Sequence, residues 1–479
     1  MAAPRILPTA PADRVPPREK FALGLGQAAA MGTHNALTTL ANPIYNVTMG
    51  MNPAYLSTLT FVQRLWDAFM DPLVGRFSDQ LRTRWGRRRP LILLAAFPMA
   101  AAFAAIWCFP RELTGLGLVF YFLLTSLVFY SFHSVFFVPL AALQVEVTAD
   151  YHERTRVASI VGICMWGFSV SNQWLFTLAQ STAFPDPVSG VRWVTAIAAG
   201  LFALMACAPA LVVRERAPAP GRPEPQRFRA ALAETWRNRD FALLLGVRSI
   251  SQLGYSIVAV LGFYLNCYLV HGGDIRAASH VQGWLGTAYV AASVAASWAF
   301  RALALRYGKR GALEISAGVL VVGAVAKLIV YQPGWRWMQL VVPATNGVAL
   351  AGINLLTTAM LADVVSADEL ASGQKREGLY CSVLSWFDKV GSSTGGLISG
   401  FLLVWIGFDA HATGGHQTMP TLHWMKGLYA ALPFAGALIT VLLARRYTLD
   451  ETRAAGIAAA LAARRLREAA PASALSAAE

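Results

Sequence analysis

The chain has 479 residues, 56% apolar and 14% charged, with a mean hydropathy of +0.47 and a net charge of +14. A soluble protein of this size carries roughly a quarter charged residues, so the composition argues against a soluble enzyme and points to lipid as the solvent. The basic excess lies in short loops between apolar runs, so it reads as a topology signal rather than a nucleic-acid footprint.

A bilayer core of about 30 Å needs about 20 apolar residues per helix. Residues 1–20 are Pro- and Ala-rich and read as a disordered cytoplasmic arm. No cleavable signal peptide is expected, because the first apolar run is too long for an h-region. Spans are predicted over 22–46, 55–77, 91–109, 116–146, 156–182 and 193–213, then 241–270, 280–304, 312–332, 336–363, 377–406 and 424–445. The expected protein is therefore all-α and membrane-embedded, with twelve transmembrane helices in two six-helix halves. An N-terminal half covers 21–213, a cytoplasmic linker 214–240, a C-terminal half 241–446 and a cytoplasmic tail 447–479.

Loop charge orients this scheme. Arg82, Arg84, Arg87, Arg88 and Arg89 follow the second span, and Arg306, Lys309 and Arg310 follow the eighth. The linker adds Arg214, Arg216, Arg222, Arg227, Arg229, Arg237 and Arg239. The segments 46–53 and 408–424 hold no Lys or Arg. Both termini are thus expected in the cytoplasm, with the protein in the cytoplasmic (inner) membrane. RWGRRRPLIL after the second span and RYGKRGALEI after the eighth suggest an internal repeat; added to the six-plus-six count, it favours the major facilitator fold, two parallel halves with a midplane site. The five cysteines show no metal-ligand spacing and read as small buried hydrophobes.

A charge inside a span is a functional hypothesis by default. Asp67 and Asp71 lie four apart and share one helix face, with Arg64 on much the same side. Two such carboxylates need a cation, a proton or a basic partner; a structural cluster with Arg64 is the bland alternative. Asp79, at the rim, reads as a loop anchor paired with a nearby Arg. Asp388 and Lys389 are adjacent and point to different faces. Lys389 needs a carboxylate, and Asp67 or Asp71 would supply one across a cavity; a static ion pair is the alternative. His133 reads first as a hydrogen-bonded core residue. Lys327 is near enough to the outer end of its span to snorkel. Asn172, Gln173, Trp174 and Asn354 suit a sugar-sized solute, by hydrogen bonds and stacking, or ordinary helix contacts.

The stretch RLWDAFMDPLVGRFSDQLRTRWGRRRPLIL resembles the glycoside–pentoside–hexuronide cation symporters, and its GRRRP form is similar to sucrose carriers. VPLAALQVEVTADYHERTR and MLADVVSADELASGQKREGLYCSVLSWFDKVG resemble further stretches of the same family. The resemblance implies cation-site roles for Asp67, Asp71 and Ser134. It implies coupling roles for Arg64 and Lys389, and a place for Asp363 at the cytoplasmic gate with Glu369, Arg87 and Arg88. Met70 departs from the family's Asn, which favours a proton over sodium. The family's sugar-clamping charges fall on Ala30–Met31, Phe137 and Gly162 here, and are missing. Gln27, His34, Asn35, Gln173, Trp174, Asn354 and Ser385 remain to meet a substrate.

The resulting expectation is a non-enzymatic symporter, coupled to a proton or sodium and needing no organic cofactor, which works as a monomer in the bilayer. Its solute is a small neutral molecule, most simply a glycoside. A lysolipid carrier is the nearest rival. A membrane-embedded enzyme or assembly factor is a remote one, since no HExxH or Ser-nucleophile motif occurs.

Overall fold

A lipid-facing backbone must satisfy its own polar groups, so a chain this apolar folds as helices or as a closed barrel. A computed structural model describes residues 14–148, 150–215, 238–374, 376–410, 417–449 and 451–476. Most of the predicted arm and linker lies outside these residues. Among the described residues the regular structure is helical, apart from one isolated bridge between Thr83 and Gly86.

The helices are α1 (Pro17–Ala41), α2 (Pro53–Gln80), α3 (Arg89–Trp107), α4 (Gly115–Glu146), α5 (Tyr151–Gln173), α6 (Leu175–Ala179) and α7 (Pro187–Val212). After these come α8 (Arg239–Tyr264), α9 (Ile275–Val330), α10 (Val341–Ser372), α11 (Glu377–Trp405), α12 (Met419–Arg445) and α13 (Glu451–Ser476). The ends of α1 and α8 run into π-helical turns, Asn42–Thr48 and Leu265–Val270. The long α9 breaks at Gly308, whose φ of 72° and ψ of 165° suit only a residue without a Cβ. The span predicted over 156–182 is also divided: α5 ends at Gln173, and the short α6 follows Trp174.

Seven helical segments among the described residues are long and apolar enough to cross a membrane, those over Arg89–Trp107, Gly115–Glu146, Pro187–Val212, Arg239–Val270, Ile275–Val330, Met338–Ser372 and Met419–Arg445. The long helices α1, α2, α5 and α11 do not reach that apolarity. They carry most of the polar residues expected at a site: Gln27, His34 and Asn35, then Arg64, Asp67 and Asp71, then Gln173, then Ser385 and Lys389. Helices that face a polar path lose hydropathy by supplying its walls.

The chain divides into two compact units. The first gathers α1–α7 with Gly273–Thr287 and the stretch from Gly400. Within it α1 packs on α5 and α7, α3 on α4 and α7, and α2 on α4. Small residues make these approaches possible: a Cβ on Gly24 would lie 2.6 Å from Cys164 Sγ, and one on Gly32 2.5 Å from Phe202. The second unit holds α8, Ala288–Ser399, α12 and α13, with α8 packed on α10 and α12. Phe241, Leu244, Phe300, Leu356 and Tyr380 belong to its buried core.

Loop arginines anchor the first unit. Arg88 is only 2% exposed. Its guanidinium donates to Ser78 Oγ and Asp79 at 2.6 Å and to Glu146 at 3.1 Å. Burial alone would lower the Arg88 pKa, but the bonds and charges of Glu146 and Asp79 outweigh it and raise the pKa. Arg87 joins Glu146 at 3.2 Å. Glu215 then accepts the backbone N–H groups of Arg87, Arg88 and Arg89 at 2.6–2.7 Å. A carboxylate there satisfies free donors at the start of α3 and meets the positive end of its dipole.

Candidate cation and solute site

The sequence around Asp67 dictates a helix that starts cleanly and then carries its charges inward. Asn52 accepts the Ala54 N–H at 2.8 Å, and Pro53 occupies the first helical position of α2. Pro72, one residue after Asp71, has no N–H to offer the Ala68 carbonyl one turn back.

Asp67 is 7% exposed. Its Oδ1 accepts a bond from Ser134 Oγ at 3.2 Å and lies 3.9 Å from His133 Nδ1. The second ring nitrogen of His133 is 3.3 Å from the Ala30 carbonyl. The imidazole stacks on Phe137, with centroids 5.7 Å apart and planes 13° from parallel. His34 stands 5.9 Å from His133 and 3.4 Å, ring nitrogen to hydroxyl, from Tyr130. So α1, α2 and α4 bring a carboxylate, a hydroxyl and two imidazoles into one neighbourhood. Asp71 is half-buried one turn further along α2, and Arg64 and Met70 are half-buried too.

Two polar bonds that sequence reasoning missed fasten this wall. Gln63 donates to Ser126 at 2.7 Å, and the Trp66 indole to Ser131 at 2.9 Å. Both lie on α2 one turn or less from Asp67, a spacing visible in the sequence once α4 is taken as the facing helix.

The other predicted residues fall as follows. Gln27 donates to Gln144 at 2.9 Å, and Asn35 is half-buried on α1. Asn172 donates to the Gly32 carbonyl at 3.1 Å. Gln173 packs against Gly286, and the Trp174 indole donates to Thr287 at 3.1 Å. In the second unit Asn354, Ser385 and Lys389 are exposed. Lys309 donates to Asp363 at 2.6 Å, and Glu369 is half-buried. Arg87 and Arg88 engage Glu146.

One polar node went unforeseen. Arg248 on α8 meets both carboxylate oxygens of Asp388 through Nε, at 3.0 and 2.9 Å. Its Nη1 reaches Thr358 Oγ1 at 3.1 Å. The signal was a lone arginine inside LLLGVRSISQ. One expectation is overturned: Lys327 does not snorkel. It is 0% exposed, with its ammonium 4.4 Å from the Tyr429 ring centroid. Beyond it Tyr331 is buried, and the Gly334 N–H bonds to the Val270 carbonyl, so the chain folds back over the end of α9.

Outside the spans, Glu153 is buried against Lys20 Nζ at 2.6 Å, the Val15 N–H at 3.0 Å and Arg156 at 3.1 Å. Burial opposes its ionisation, but these three donors outweigh burial and hold its pKa below the usual glutamate value. Among the described residues no group of three or more His, Cys, Asp or Glu could hold a metal ion.

Residues 22–451 match the family model described as MFS/sugar transport protein. The isoprimeverose transporter of Lactiplantibacillus pentosus is 24% identical over 459 residues, covering 92% of this chain and 90% of its own length. The sodium-dependent lysophosphatidylcholine symporter 1 of Gallus gallus is 22% identical over 449 residues, covering 84% and 81%. Among solved structures, a bacterial homologue of the human lysosomal transporter Spinster, inward-facing and unoccupied, superposes with a TM-score of 0.65 at 16% identity over 90% of this chain and 97% of its own.

Proposed function

This chain belongs to the MFS/sugar transport proteins, the glycoside–pentoside–hexuronide type within the major facilitator superfamily, and we propose that it is a proton-coupled symporter of a small neutral glycoside. It is a multi-pass membrane transporter rather than an enzyme. In our reading its long helices make twelve crossings in two halves, with α9 counted on either side of Gly308. Both termini face the cytoplasm, and the membrane is the inner one.

The observation that carries the reading is Asp67, buried beside Ser134 Oγ at 3.2 Å and His133 Nδ1 at 3.9 Å. Sodium wants several oxygens, by analogy with other hard cations. Here an imidazole nitrogen stands 3.9 Å from the carboxylate, and Met70 occupies the α2 position where the family resemblance would put an amide oxygen. A proton needs only a carboxylate or imidazole with a matched affinity. Asp67 and Asp71 therefore take the proton, and Arg64 and Lys389 are the fixed charges whose balance the proton changes. Gln27, His34, Asn35, Gln173, Trp174, Asn354 and Ser385 are the groups offered to the solute. Asp363 with Lys309 belongs to the latch on the cytoplasmic side, and Glu369, Arg87 and Arg88 are the further residues assigned to it. Alternating access follows when loaded proton and solute remove the cost of moving uncompensated charge.

The test is external pH in lightly buffered, de-energised cells making the protein, with neutral glycosides added one at a time. Alkalinisation with one sugar, lost in Asp71→Asn, is the expected result. No pH change with any sugar, with sodium present and uptake counts flat, would overturn it. A second reading, a sodium-coupled lysolipid carrier, is favoured by the match to the Gallus gallus symporter over most of both chains. The same cells then respond to lysolipids, and only with sodium.

A further inference from the structure

Lys327 lies on α9 within the second unit, fully buried. Its ammonium sits over the Tyr429 ring at 4.4 Å and makes no hydrogen bond to a described residue. It borders a small internal cavity that Ser251, Tyr255, Asn346 and Pro433 also line. None of the lining residues is acidic. A ring face offsets only a small part of the cost of burying an ammonium. A lysine in this position resolves the cost by giving up its proton.

A second buried atom lines the same cavity without a partner: the Oδ1 of Asn346. A Cβ on Gly323 would lie 3.6 Å from that oxygen, so the carboxamide packs on α9 one turn before Lys327. The other titratable groups nearest Lys327 among the described residues are phenols: Tyr255 from α8 lines the cavity, Tyr429 from α12 carries the ring beneath the ammonium, and the hydroxyl of Tyr331 after α9 is 3.4 Å from that of Tyr429. Tyr289 of α9 stacks on Tyr255 with centroids 5.8 Å apart. Phenols stay neutral until well above neutral pH. Arg248, one turn from Ser251 on α8, is taken up by Asp388. Lys426 lies one turn before Tyr429 on α12 and brings no negative charge.

We propose that Lys327 and Asn346 form a proton-binding site inside the C-terminal unit, separate from Asp67 and Asp71. The ligand is the proton itself. An anion would meet the Asn346 carboxamide oxygen, an acceptor facing an acceptor, whereas a protonated Nζ is the donor that oxygen lacks. In the step, one Nζ–H bond breaks, its electron pair stays on nitrogen, and the proton passes to water. The inference does not depend on the substrate or coupling ion assigned above, because it concerns a different helix set and is read without transport.

The experiment compares the wild type with Lys327→Met and Lys327→Gln in detergent micelles. Unfolding by SDS is followed by tryptophan fluorescence from about pH 6.5 to about pH 10, a range chosen to approach the ordinary lysine pKa. An unfolded lysine keeps its proton through most of that range, whereas the folded site releases it within the range. The unfolded state then binds more protons, so wild-type stability rises with pH relative to both variants. The ratio of unfolding constants shifts by up to about tenfold per pH unit for one proton. A ratio flat in pH overturns the proposal. So does a ratio that changes when chloride is replaced by gluconate but not with pH, which would mark an anion site. If neither variant folds, the wild type labelled with carbon-13 at lysine Cε reads the same step. Its six lysines, at 20, 309, 327, 375, 389 and 426, then show one resonance moving ahead of the ordinary lysine range. All six moving together in that range is the overturning result.

Discussion

Arg248 Nε holds both carboxylate oxygens of Asp388, at 3.0 and 2.9 Å, and so ties α8 to α11 beside the exposed Lys389. Both side chains are less than a third exposed, at 19% and 27%. Removing one partner leaves a charge in a poorly solvated place. Arg248→Gln and Asp388→Asn should each destabilise by about 1–3 kcal/mol, with the double variant costing less than the sum. A double-mutant cycle of detergent melting curves measures this. Additive single effects would mean that the pair contributes no coupling.

Arg88 is a stricter case, because it is almost fully buried and bonds Ser78, Asp79 and Glu146 together. Arg88→Ala takes one guanidinium away from Glu146, whose side chain is only 12% exposed and which also meets Arg87. The expected loss is about 3–5 kcal/mol, seen as poor membrane yield or a sharply lowered melting point. Glu215→Gln keeps the shape and removes only the charge at the start of α3. It should cost about 0.5–2 kcal/mol. Equal effects from the two substitutions would refute the distinction drawn between them.

These two sites also show what the sequence made legible. The pattern around Asp67 and Asp71 placed the charged face of α2, and the repeated basic loops located the turns after α2 and at Gly308. What could not be read was which acid each arginine takes. Glu146 and Glu215 are 58 and 127 residues from Arg88, and only packing brings them near. Lys327 failed for a related reason. Its distance from the end of α9 along the chain is short, but Tyr331 is buried beyond it and the Gly334 N–H bonds back to the Val270 carbonyl, so the side chain ends inside the unit rather than at its surface. Arg248 was legible in principle: a charge inside a span demands a partner, and Asp388 was the unspent acid in the same half.

Glu153 gives a pH prediction outside the spans. Lys20, the Val15 N–H and Arg156 lower its pKa against the opposing effect of burial. A depressed carboxyl contributes stability that is fully present above the unfolded glutamate value, about 4.3, and is lost as pH falls through the lower folded value. The stability gap between wild type and Glu153→Gln should therefore stay constant from neutral pH to about pH 5 and close below that. Melting points of both proteins across acid pH decide it. A gap that widens on acidification would reverse the assignment.

The last prediction separates Asp67 from its imidazole neighbour. If Asp67 carries the coupled proton, Asp67→Asn removes gradient-driven accumulation but leaves solute exchange, because exchange needs no net proton movement. His133 touches the Ala30 carbonyl at 3.3 Å and Asp67 at 3.9 Å, so it biases the carboxylate rather than replacing it. His133→Gln keeps a polar side chain that can still donate to Ala30. It should preserve accumulation while moving the pH at which uptake is half-maximal, because the imidazole that polarises the Asp67 carboxyl from 3.9 Å is gone. Uptake against pH in energised vesicles, beside counterflow at fixed pH, measures both quantities. A His133→Gln protein that loses accumulation but keeps exchange would make the imidazole the proton carrier and Asp67 its partner.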